Sequence, residues 1–330
     1  PVQLQKITDT TLDLYWGSKV NITVNYNTTS INISDAQIYL EWAYDGLYMD
    51  ADNELGDGYY TFEIDTSKAN YLGTYPIEIT AGRHNYTTVE NSFLLDIERI
   101  PTQIGGYYKI GETATNKENT TARMRIAETI YRQDAYNFTF MYVDNNGELI
   151  SAADVAYFDW AQYNEDSQLQ NAGQISLVEN KSALGEYILD FDTEDLDVGQ
   201  YIIDVNLIKE NYEPRAAQII LNVILIPTTV NASYYDVDGS LNTISDTSDE
   251  LEINLEIYKS DLYKFNFTYV DARTETVITD GTEFKNIIGQ LNESEASPGV
   301  YVLDMDTEDF QVGTHQANFG INRTDYERRN

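Results

Sequence analysis

The residues best suited to carry chemistry in this chain are asparagines in Asn-x-Ser/Thr triplets. The triplet accepts N-linked glycans, and no triplet here has the blocking Pro at its middle position. Of 28 asparagines, 11 lie in triplets, whereas composition alone predicts about four. A composition rich in Asn and Thr explains part of the excess, and the remainder predicts glycosylation. The candidate sites are Asn21, Asn27, Asn32, Asn85, Asn119, Asn137, Asn180, Asn231, Asn266, Asn292 and Asn322.

Acidic loops are the second group of candidate ligands. Clustered carboxylates bind Ca²⁺, but an Asp followed by Thr also caps a short helical turn by accepting backbone N–H groups. The first of three similar loops retains only Asp65-Thr66-Ser67, which suffices for a cap and not for Ca²⁺. We therefore expect caps and no metal centre, with Ca²⁺ as the alternative. The other loops contain Asp190, Asp192, Glu194, Asp195 and Asp197, and Asp304, Asp306, Glu308 and Asp309.

Patterns of catalytic residues are not found in the sequence. The chain contains no Gly-x-Ser-x-Gly elbow, phosphate loop or His-Glu-x-x-His motif. Its two histidines, His84 and His315, occupy different positions, and His315 stands where related segments have a strand Tyr. We predict that the chain is not an enzyme and that His315 is a packing variant.

Three segments of the chain repeat one another, which indicates tandem domains. Between the second and third segments, Tyr187 and Tyr301 are 114 residues apart, as are Gly199 and Gly313. A period above about 100 residues suits a whole small domain. Prolines at matching seams, with short linkers, predict a semi-rigid rod. The predicted repeats are residues 1–100, residues 101–226 with an N-terminal insertion, and residues 227–330 with an N-terminal insertion and an incomplete C-terminus.

Composition limits the compartment and the partners. The 20 basic and 55 acidic residues give a formal charge of −35, so no basic surface exists for nucleic acid or for anionic lipid. There is no cysteine, hence no disulfide and no thiolate metal site. No apolar stretch is long enough to span a membrane. A solvated, mutually repelling surface is the simplest interpretation.

The local pattern is β throughout. Val20, Ile22 and Val24 alternate with polar residues, and similar segments recur at matching positions in the other repeats. The sequence therefore predicts an all-β fold. Asn21 and Asn266 alternate with apolar residues of such segments, so we expect both to face solvent and to occupy the same position of the repeat. A glycan there would block edge-to-edge pairing of sheets.

One recurring segment resembles a corner of the immunoglobulin-like sandwich. Asp197-Val-Gly199-Gln-Tyr201 is similar to the start of strand F, where a Tyr bonds back to the backbone. Trp42 and Trp160 stand where such folds place the tryptophan of strand C. Ile203, matched by Ile77 and Ala317, replaces the usual second cysteine with apolar packing. The corner residues are Asp65, Gly73, Tyr75, Asp192, Gly199, Tyr201, Asp306, Gly313 and His315.

The whole chain resembles the tandem Ig-like repeats of archaeal cell-surface proteins, such as S-layer and adhesin-like glycoproteins. Each copy ends in a similar pattern: Gly73-Thr-Tyr75 to Tyr86, Gly199-Gln-Tyr201 to Tyr212-Glu213, and Gly313-Thr-His315 to Tyr326-Glu327. The resemblance implies three Ig-like sandwiches at the cell surface, bearing N-glycans and contacting other copies of the chain or neighbouring surface proteins. It indicates architecture more strongly than function.

The insertions of the second and third repeats are rich in tyrosine. Tyr107-Tyr108 and Tyr234-Tyr235 lie at matching places, and an added edge hairpin would accommodate both. Exposed tyrosines could stack on sugars, whereas packing on a strand face is the simpler interpretation.

The third repeat stops at Tyr326-Glu-Arg-Arg-Asn330, before the apolar final strand that the other copies have. We expect that strand to come from the continuing protein or from an adjacent subunit. The predicted function is a structural extracellular segment: a stalk, S-layer or surface-filament subunit. The alternatives are an adhesin or carbohydrate-binding array, and a spacer of a larger secreted enzyme.

Overall fold

The computed structural model describes residues 2–6, 11–42, 47–50, 53–110, 113–164, 166–191, 196–247, 251–286 and 290–329. These residues form strands and loops, with one 3₁₀ turn at Thr66–Lys68. The all-β prediction is confirmed. Alternation is the physical reason, because every second side chain of a strand faces the core, as Ile22, Val24 and Tyr26 do with at most 1% exposure.

The first repeat has nine strands in the part of it that the structure describes. They are β1 (Val2–Lys6), β2 (Thr11–Tyr15), β3 (Lys19–Thr28), β4 (Gln37–Trp42), β5 (Leu47–Asp50), β6 (Asn53–Gly56), β7 (Tyr59–Asp65), β8 (Gly73–Gly82) and β9 (Val89–Glu98). One sheet has the order β1-β3-β7-β6, and the other has the order β2-β9-β8-β4-β5. β2 runs parallel to β9.

This strand order is that of an Ig-like sandwich. The first sheet corresponds to strands A, B, E and D, and the second to A′, G, F, C and C′. The parallel pairing of β2 with β9 carries the N-terminal segment from one sheet to the other. The predicted Ig-like fold is therefore confirmed in the first repeat by topology.

Ten strands are described in the second repeat. They are β10 (Thr102–Ile110), β11 (Thr113–Thr120), β12 (Met124–Tyr131), β13 (Tyr136–Asp144), β14 (Val155–Tyr163), β15 (Leu169–Ser176), β16 (Val178–Glu179), β17 (Glu186–Phe191), β18 (Gly199–Ile208) and β19 (Arg215–Ile224). The sheet orders are β11-β10-β13-β17-β16 and β12-β19-β18-β14-β15. β11 has no counterpart among the described strands of the first repeat. It forms an edge hairpin with β10 and lengthens that sheet to five strands.

The third repeat has seven strands among the described residues. They are β20 (Thr228–Tyr235), β21 (Leu241–Thr247), β22 (Leu262–Asp271), β23 (Thr282–Asn286), β24 (Gln290–Ser294), β25 (Ser297–Asp306) and β26 (Asn318–Asn322). The order β21-β20-β22-β25-β24 repeats the first sheet of the second repeat. The second sheet contains β23 and β26.

The second sheet of the third repeat has fewer strands among the described residues than its counterpart in the second repeat. In the second repeat, β19 lies between β12 and β18. In the described part of the third repeat, no strand lies between β26 and residues 251–258, which stand at the place of β12. Leu251, Ile253, Leu255 and Ile257 nevertheless pack against the core, although their backbone forms no ladder.

Each repeat has its own hydrophobic core. Among described residues, the buried members of the three clusters lie within 4–97, 104–223 and 230–321. Tyr136, Phe138, Phe140 and Tyr142 of β13 are fully buried in the second core. Separate cores support three domains in series. The junctions between these domains are therefore candidates for a functional site.

Candidate functional site: the junctions between repeats

The linker between the first and second repeats is hydrogen-bonded to the repeat that follows it. The N–H of Ile100 donates to the carbonyl of Asn211 at 2.9 Å, and the N–H of Glu213 donates to the carbonyl of Ile100 at 3.0 Å. Pro101 has no N–H to donate, so the ladder of the preceding repeat does not run through it. The linker is thereby held against the loop between β18 and β19.

The second linker has the same geometry. The N–H of Ile226 donates to the carbonyl of Asp325 at 2.9 Å, and the N–H of Glu327 donates to that of Ile226, also at 2.9 Å. We call the two sites the first junction (repeats 1 and 2) and the second junction (repeats 2 and 3).

Four side chains reinforce the first linker, and we call them the second-repeat clamp: Thr102, Tyr142, Glu213 and Arg215. The hydroxyls of Thr102 and Tyr142 both donate to the carbonyl of Glu213, at 2.9 Å and 2.6 Å. Arg215 donates from Nε to the carbonyl of Thr102 at 2.9 Å and pairs with the carboxylate of Glu213. Burial raises the pKa of Tyr142 to about 12 despite the opposing bond with Thr102.

The third-repeat clamp consists of Thr228, Tyr269, Glu327 and Arg329. The hydroxyls of Thr228 and Tyr269 donate to the carbonyl of Glu327 at 3.0 Å and 2.5 Å. Arg329 donates from Nε to the carbonyl of Thr228 at 2.8 Å and pairs with the Glu327 carboxylate at 2.6 Å. Burial raises the pKa of Tyr269 to about 12.

The first repeat retains only part of this arrangement. The hydroxyl of Tyr26 donates to the carbonyl of Thr87 at 3.0 Å, as Tyr142 does to Glu213. Thr87 and Val89 stand where the other repeats have Glu and Arg. Sequence reasoning noted the recurring Tyr-Glu pairs and missed the clamp. The available signal was Glu213-Pro-Arg215 and Glu327-Arg-Arg329, together with a Thr after each seam proline.

The second junction also has an ion-pair cluster that joins the two repeats directly. Arg132 pairs with Asp325 at 2.9 Å, where both side chains are less than a fifth exposed. Gln133 Nε2 donates to the same carboxylate at 2.8 Å. Arg273 of the third repeat pairs with Asp134 of the second at 3.2 Å.

Arg273 is the centre of that cluster. Its guanidinium carbon lies 4.7 Å from the ring centroid of Tyr131, and its Nη2 lies 3.1 Å from the carboxylate of Asp271. Burial raises the pKa of Asp271, but the bonds and charge of Arg273 outweigh burial and leave the pKa below its ordinary value. The same carboxylate raises the pKa of Arg273 against its own burial.

The first junction lacks the residues for such a cluster. The turn after β2 corresponds to the turn after β12, and the loops after β13 and β18 correspond to those after β22 and β26. Uncharged residues occupy the equivalent positions of Arg132, Gln133, Asp134, Arg273 and Asp325, namely Trp16, Gly17, Ser18, Asn146 and Asn211.

The corner contact is present in all three repeats, from a Tyr in two of them and from a His in the third. The hydroxyl of Tyr75 donates to the carbonyl of Tyr71 at 2.5 Å, and that of Tyr201 donates to Asp197 at 3.1 Å. His315 Nε2 lies 2.6 Å from the carbonyl of Gln311, also four residues upstream. His315 therefore reproduces the contact of the Tyr that it replaces. Gly73, Gly199 and Gly313 precede the corners with φ of 130°, 150° and 156°, which side chains rarely adopt.

The Asp-Thr loops show the contacts of caps. Asp65 Oδ1 accepts the N–H of Ser67 at 3.0 Å, and Asp306 Oδ1 accepts that of Glu308 at 2.9 Å. The bonds from Ser67 lower the pKa of Asp65. Asp192 lies outside the described residues. Among those described, no cluster of His, Cys, Asp and Glu is arranged to hold a metal ion.

The Thr of the first and third loops has a role that the sequence did not reveal. Thr66 is fully buried and donates towards the carbonyls of Tyr15 and Ser18 at 2.9 and 3.0 Å. Thr307 makes the matching contacts with Tyr258 and Asp261 at 2.8 and 2.9 Å. These bonds fix the turn after the A′ segment, which in the second repeat contacts the next repeat.

Trp42 and Trp160 lie on strand C, as predicted, and each is paired with the buried residue that replaces the strand-F cysteine. The third repeat differs at this position of strand F. Trp42 is paired with Ile77, and Trp160 with Ile203, in the C–F ladder. Both isoleucines are fully buried. Ala317, expected to pack in the same way, is exposed. That prediction is wrong, because β26 begins at Asn318 and Ala317 precedes it.

The two tyrosines of each neighbouring pair, Tyr107-Tyr108 and Tyr234-Tyr235, lie on opposite faces of their strand because side chains alternate along it. Tyr108 is 5% exposed and stacks on Phe138 with 5.8 Å between centroids. Its neighbour Tyr107 is 37% exposed, and Tyr235 is 58% exposed. Tyr234 packs against Phe265. One tyrosine of each pair therefore packs and the other faces solvent.

The triplet asparagines lie on exposed or half-buried positions. The exposed ones are Asn21, Asn32, Asn85, Asn119, Asn137, Asn292 and Asn322, and the half-buried ones are Asn27, Asn180, Asn231 and Asn266. Glycosylation of any of them stays a prediction.

The expected equivalence of Asn21 and Asn266 is wrong. In the ladder with strand E, Asn21 pairs with Glu63, Asn137 with Asp190 and Lys264 with Asp304. Asn137 is therefore the counterpart of Asn21 in the second repeat, and Lys264 is the counterpart in the third. Asn266 lies two residues further along its strand, on the same face.

Comparisons with known proteins identify no family. No protein-family profile and no curated protein matches the chain. A tetra-tandem repeat from the extending region of a large adhesion protein is 11% identical, covers 99% of this chain and 97% of its own, and has a TM-score of 0.35. The titin domains z1z2, in a complex with telethonin, are 12% identical to this chain and have a TM-score of 0.32. The match covers 67% of this chain and 97% of the titin chain.

The N-terminal Ig module of the Drosophila receptor protein tyrosine phosphatase DLAR is 11% identical, covers 68% of this chain and 100% of its own, and scores 0.22. Likenesses this weak carry no argument about function. No helix in the described part of the chain is long and apolar enough to cross a bilayer. The chain is a tandem array of Ig-like sandwiches, and strand order is what shows it.

Proposed function

We propose that this chain is a structural segment of an extracellular glycoprotein: an acidic, N-glycosylated, semi-rigid spacer in a stalk, S-layer or surface filament. It has no catalytic activity of its own. The observation that supports this most directly is the bonding of each linker into the following repeat, because a linker tied by two backbone bonds cannot act as a flexible tether. The resemblance to archaeal surface repeats favours the same role.

Charge and glycans complete the proposed mechanism. A charge of −35 keeps neighbouring chains apart and soluble. Asn21 and Asn137 lie at equivalent exposed positions of strand B, so glycans there would cover the same face of two successive repeats. Divalent cations, Ca²⁺ among them, would bridge acidic faces in this scheme.

Two measurements test the proposal. Glycopeptide mass spectrometry of native material should find glycans, and unmodified Asn21, Asn137 and Asn266 would defeat the surface-glycoprotein interpretation. Small-angle scattering should give the pair-distance distribution of an elongated particle. A control with Gly-Ser linkers replacing residues 99–101 and 225–227 should be less extended, and an identical profile would contradict the spacer role.

An adhesin or carbohydrate-binding array is the second candidate, and the exposed rings of Tyr107 and Tyr235 favour it. Aromatic faces of this kind stack on sugars. Saturable glycan binding that is lost in Tyr107→Ala and Tyr235→Ala, with the buried Tyr108 retained, would support it. Lattice or fibre periodicity in microscopy, without glycan binding, would favour the structural role. A spacer of a larger secreted enzyme is the third candidate, which the rest of the gene tests.

We further propose that a strand binds between β26 and residues 251–258 and completes the third sandwich, either from the continuing protein or from an adjacent subunit. The half-buried Leu251, Ile253, Leu255 and Ile257 would form one wall of its site. A peptide with the sequence of β19 should raise the unfolding temperature of the third repeat, whereas a scrambled peptide should not. The absence of any shift at millimolar peptide would contradict the proposal.

A further inference from the structure

One edge strand of the second repeat differs in chemistry from the rest of this acidic chain. All eight residues of β15, Leu169–Ser176, are exposed, and none is charged. The hydrophobic Leu169 and Ile175 are 59% and 50% exposed. β15 pairs with β14 on one side, and no strand lies on its other side among the described residues. About half of its backbone N–H and C=O groups therefore face outward.

The other edge strands carry features that oppose pairing. Each edge strand elsewhere in the described residues contains a charged residue or a triplet asparagine. In the same repeat, β11 contains Lys117, Glu118 and the triplet Asn119, and β12 contains Arg125 and Glu128. Charges on an edge are a common means of preventing contact between sheets. We call β15 the neutral edge.

The neutral edge is held in place before any partner arrives. The indole of Trp160 lies across Gly173, where an added Cβ would approach Nε1 to 2.8 Å. Gln174 Nε2 donates to the carboxylate of Asp159 on the neighbouring strand at 2.7 Å. A strand fixed in this way loses little conformational entropy when it binds.

We propose that the neutral edge binds the neutral edge of a second copy of this chain, in antiparallel pairing across a two-fold axis. The two five-stranded sheets would then form one continuous sheet through backbone hydrogen bonds. Gln170, Asn171 and Gln174 would add side-chain amide contacts between the strands. This deepens the proposed lattice or filament role by naming one lateral contact, and the spacer role stands if the contact fails.

Charge selects a second copy as the occupant. A basic partner would be drawn to the acidic faces of a chain with charge −35, whereas the neutral edge offers it no carboxylate. A second copy brings a strand of the same length and the same neutrality. Long-range repulsion between the copies falls as salt shortens the screening length from about 10 Å at 0.1 M to about 3 Å at 1 M. Dimerisation should therefore strengthen with salt.

Sedimentation velocity of the whole chain, from 0.05 to 1 M NaCl, tests the proposal. The wild type should shift from monomer to dimer as salt rises. Asn171→Asp places a carboxylate on the neutral edge and should weaken dimerisation about tenfold. Asn116→Asp is the matched control, since Asn116 is an exposed residue of the edge strand β11 and gives the same change in net charge.

Cysteine cross-linking gives a readout that does not depend on the charged variant. The chain has no cysteine, so Gln170→Cys, Ala172→Cys and Gln174→Cys each introduce a single thiol. In an antiparallel pair, oxidation should give disulfide-linked dimers at the position nearest the two-fold axis and fewer at the others. Thr115→Cys on β11 should stay monomeric. A parallel pair would cross-link equally at all three positions and would overturn the antiparallel arrangement.

Three further results would overturn the proposal. The first is a monomer at every salt concentration and at millimolar protein. The second is equal weakening by Asn116→Asp and Asn171→Asp, and the third is cross-linking of Thr115→Cys as readily as of Ala172→Cys. If Asn171→Asp lowers the thermal stability of the monomer, the cysteine variants decide the outcome. None of these results would affect the glycan and scattering tests of the spacer role.

Discussion

The two junctions share one backbone arrangement and differ in what joins the repeats across it. At each, the linker isoleucine is bonded to the loop of the following repeat, and a Thr-Tyr-Glu-Arg clamp reinforces the bond. Only at the second do the positions on both sides carry charges that pair, as Arg132 does with Asp325. The clamp orders the linker, whereas the ion pairs resist bending between sandwiches. The first junction is therefore expected to bend more easily.

The largest predicted effect comes from removing the shared clamp. Arg215→Ala or Arg329→Ala removes bonds to the carbonyl of the clamp Thr and to the carboxylate of the clamp Glu. Each change should cost about 2–4 kcal/mol in the unfolding free energy of the second or third repeat. Urea unfolding followed by fluorescence measures the loss. Arg123→Ala is the control, since its pair with Asp204 is about two-fifths exposed and should contribute less than about 1 kcal/mol. Equal losses in all three variants would contradict a special role for the clamp.

Removing the ion pair at the second junction should have a smaller effect on stability, and it should also change the geometry of the junction. Asp325→Asn deletes the half of the pair that receives both Arg132 and Gln133. We expect a loss of about 1–2 kcal/mol and a broader distance distribution between spin labels on repeats 2 and 3. The absence of native cysteine makes the labelling specific.

The controls for that experiment are close at hand. Asp309→Asn changes an exposed carboxylate of the same repeat and should leave the distribution unchanged. Labels across the first junction should respond to neither variant. An unchanged distribution in Asp325→Asn would show that the linker alone sets the angle.

Transplanting a charge pair should stiffen the first junction. Ser18→Asp with Asn146→Arg reproduces the Asp134–Arg273 pair and leaves the half-buried Trp16 in place. The new pair should stabilise the contact between repeats 1 and 2 by about 0.5–1 kcal/mol. The distribution of spin-label distances across the first junction should therefore become narrower. Ser18→Asp alone should not narrow it. A distribution that stays broad in the double variant would mean that the two junctions differ in backbone and not only in charge.

How far the sequence predicted these features depends on how local each feature is. The Gly-x-Tyr corner was found because Tyr75 bonds four residues away. The clamp and the ion-pair cluster were both missed. In the clamp, Arg215 and Thr102 are 113 residues apart, and in the cluster, Gln133 and Asp325 are 192 apart. No spacing rule connects the clamp residues, which meet only after their repeat has folded, or the cluster residues, which meet only after two repeats have docked. For the clamp, the available signal was the repetition of Glu and Arg at a fixed offset, together with the Thr that follows Pro101 and Pro227.

Similarity of short sequence segments also gave a wrong alignment of strand B in the third repeat. Asn266-Phe-Thr in the third repeat reads like the triplet at Asn21, yet strand pairing places Lys264 opposite Asp304, where Asn21 has Glu63. A shift of two residues keeps every side chain on its face, so hydrophobic alternation cannot detect it. Only the pairing register with the neighbouring strand shows which residue of the third repeat is equivalent to Asn21.

The smallest predicted effect is a dependence of the second junction on acid. The pKa of Asp271 is lower in the folded protein than in the unfolded chain, because Arg273 bonds and charge outweigh burial. Its contribution is therefore full above about pH 4, near the unfolded pKa, and is lost as the pH falls through the folded value. Spin-label distances across the second junction should broaden below pH 4 and narrow again on return to neutral pH. Asp271→Asn should be broad already at neutral pH and insensitive to this range, since the guanidinium then lacks its nearest carboxylate. The first junction, where Asn146 replaces the arginine, should show no such reversible step, and an equal step at both junctions would trace the acid response to the sandwiches and not to Arg273.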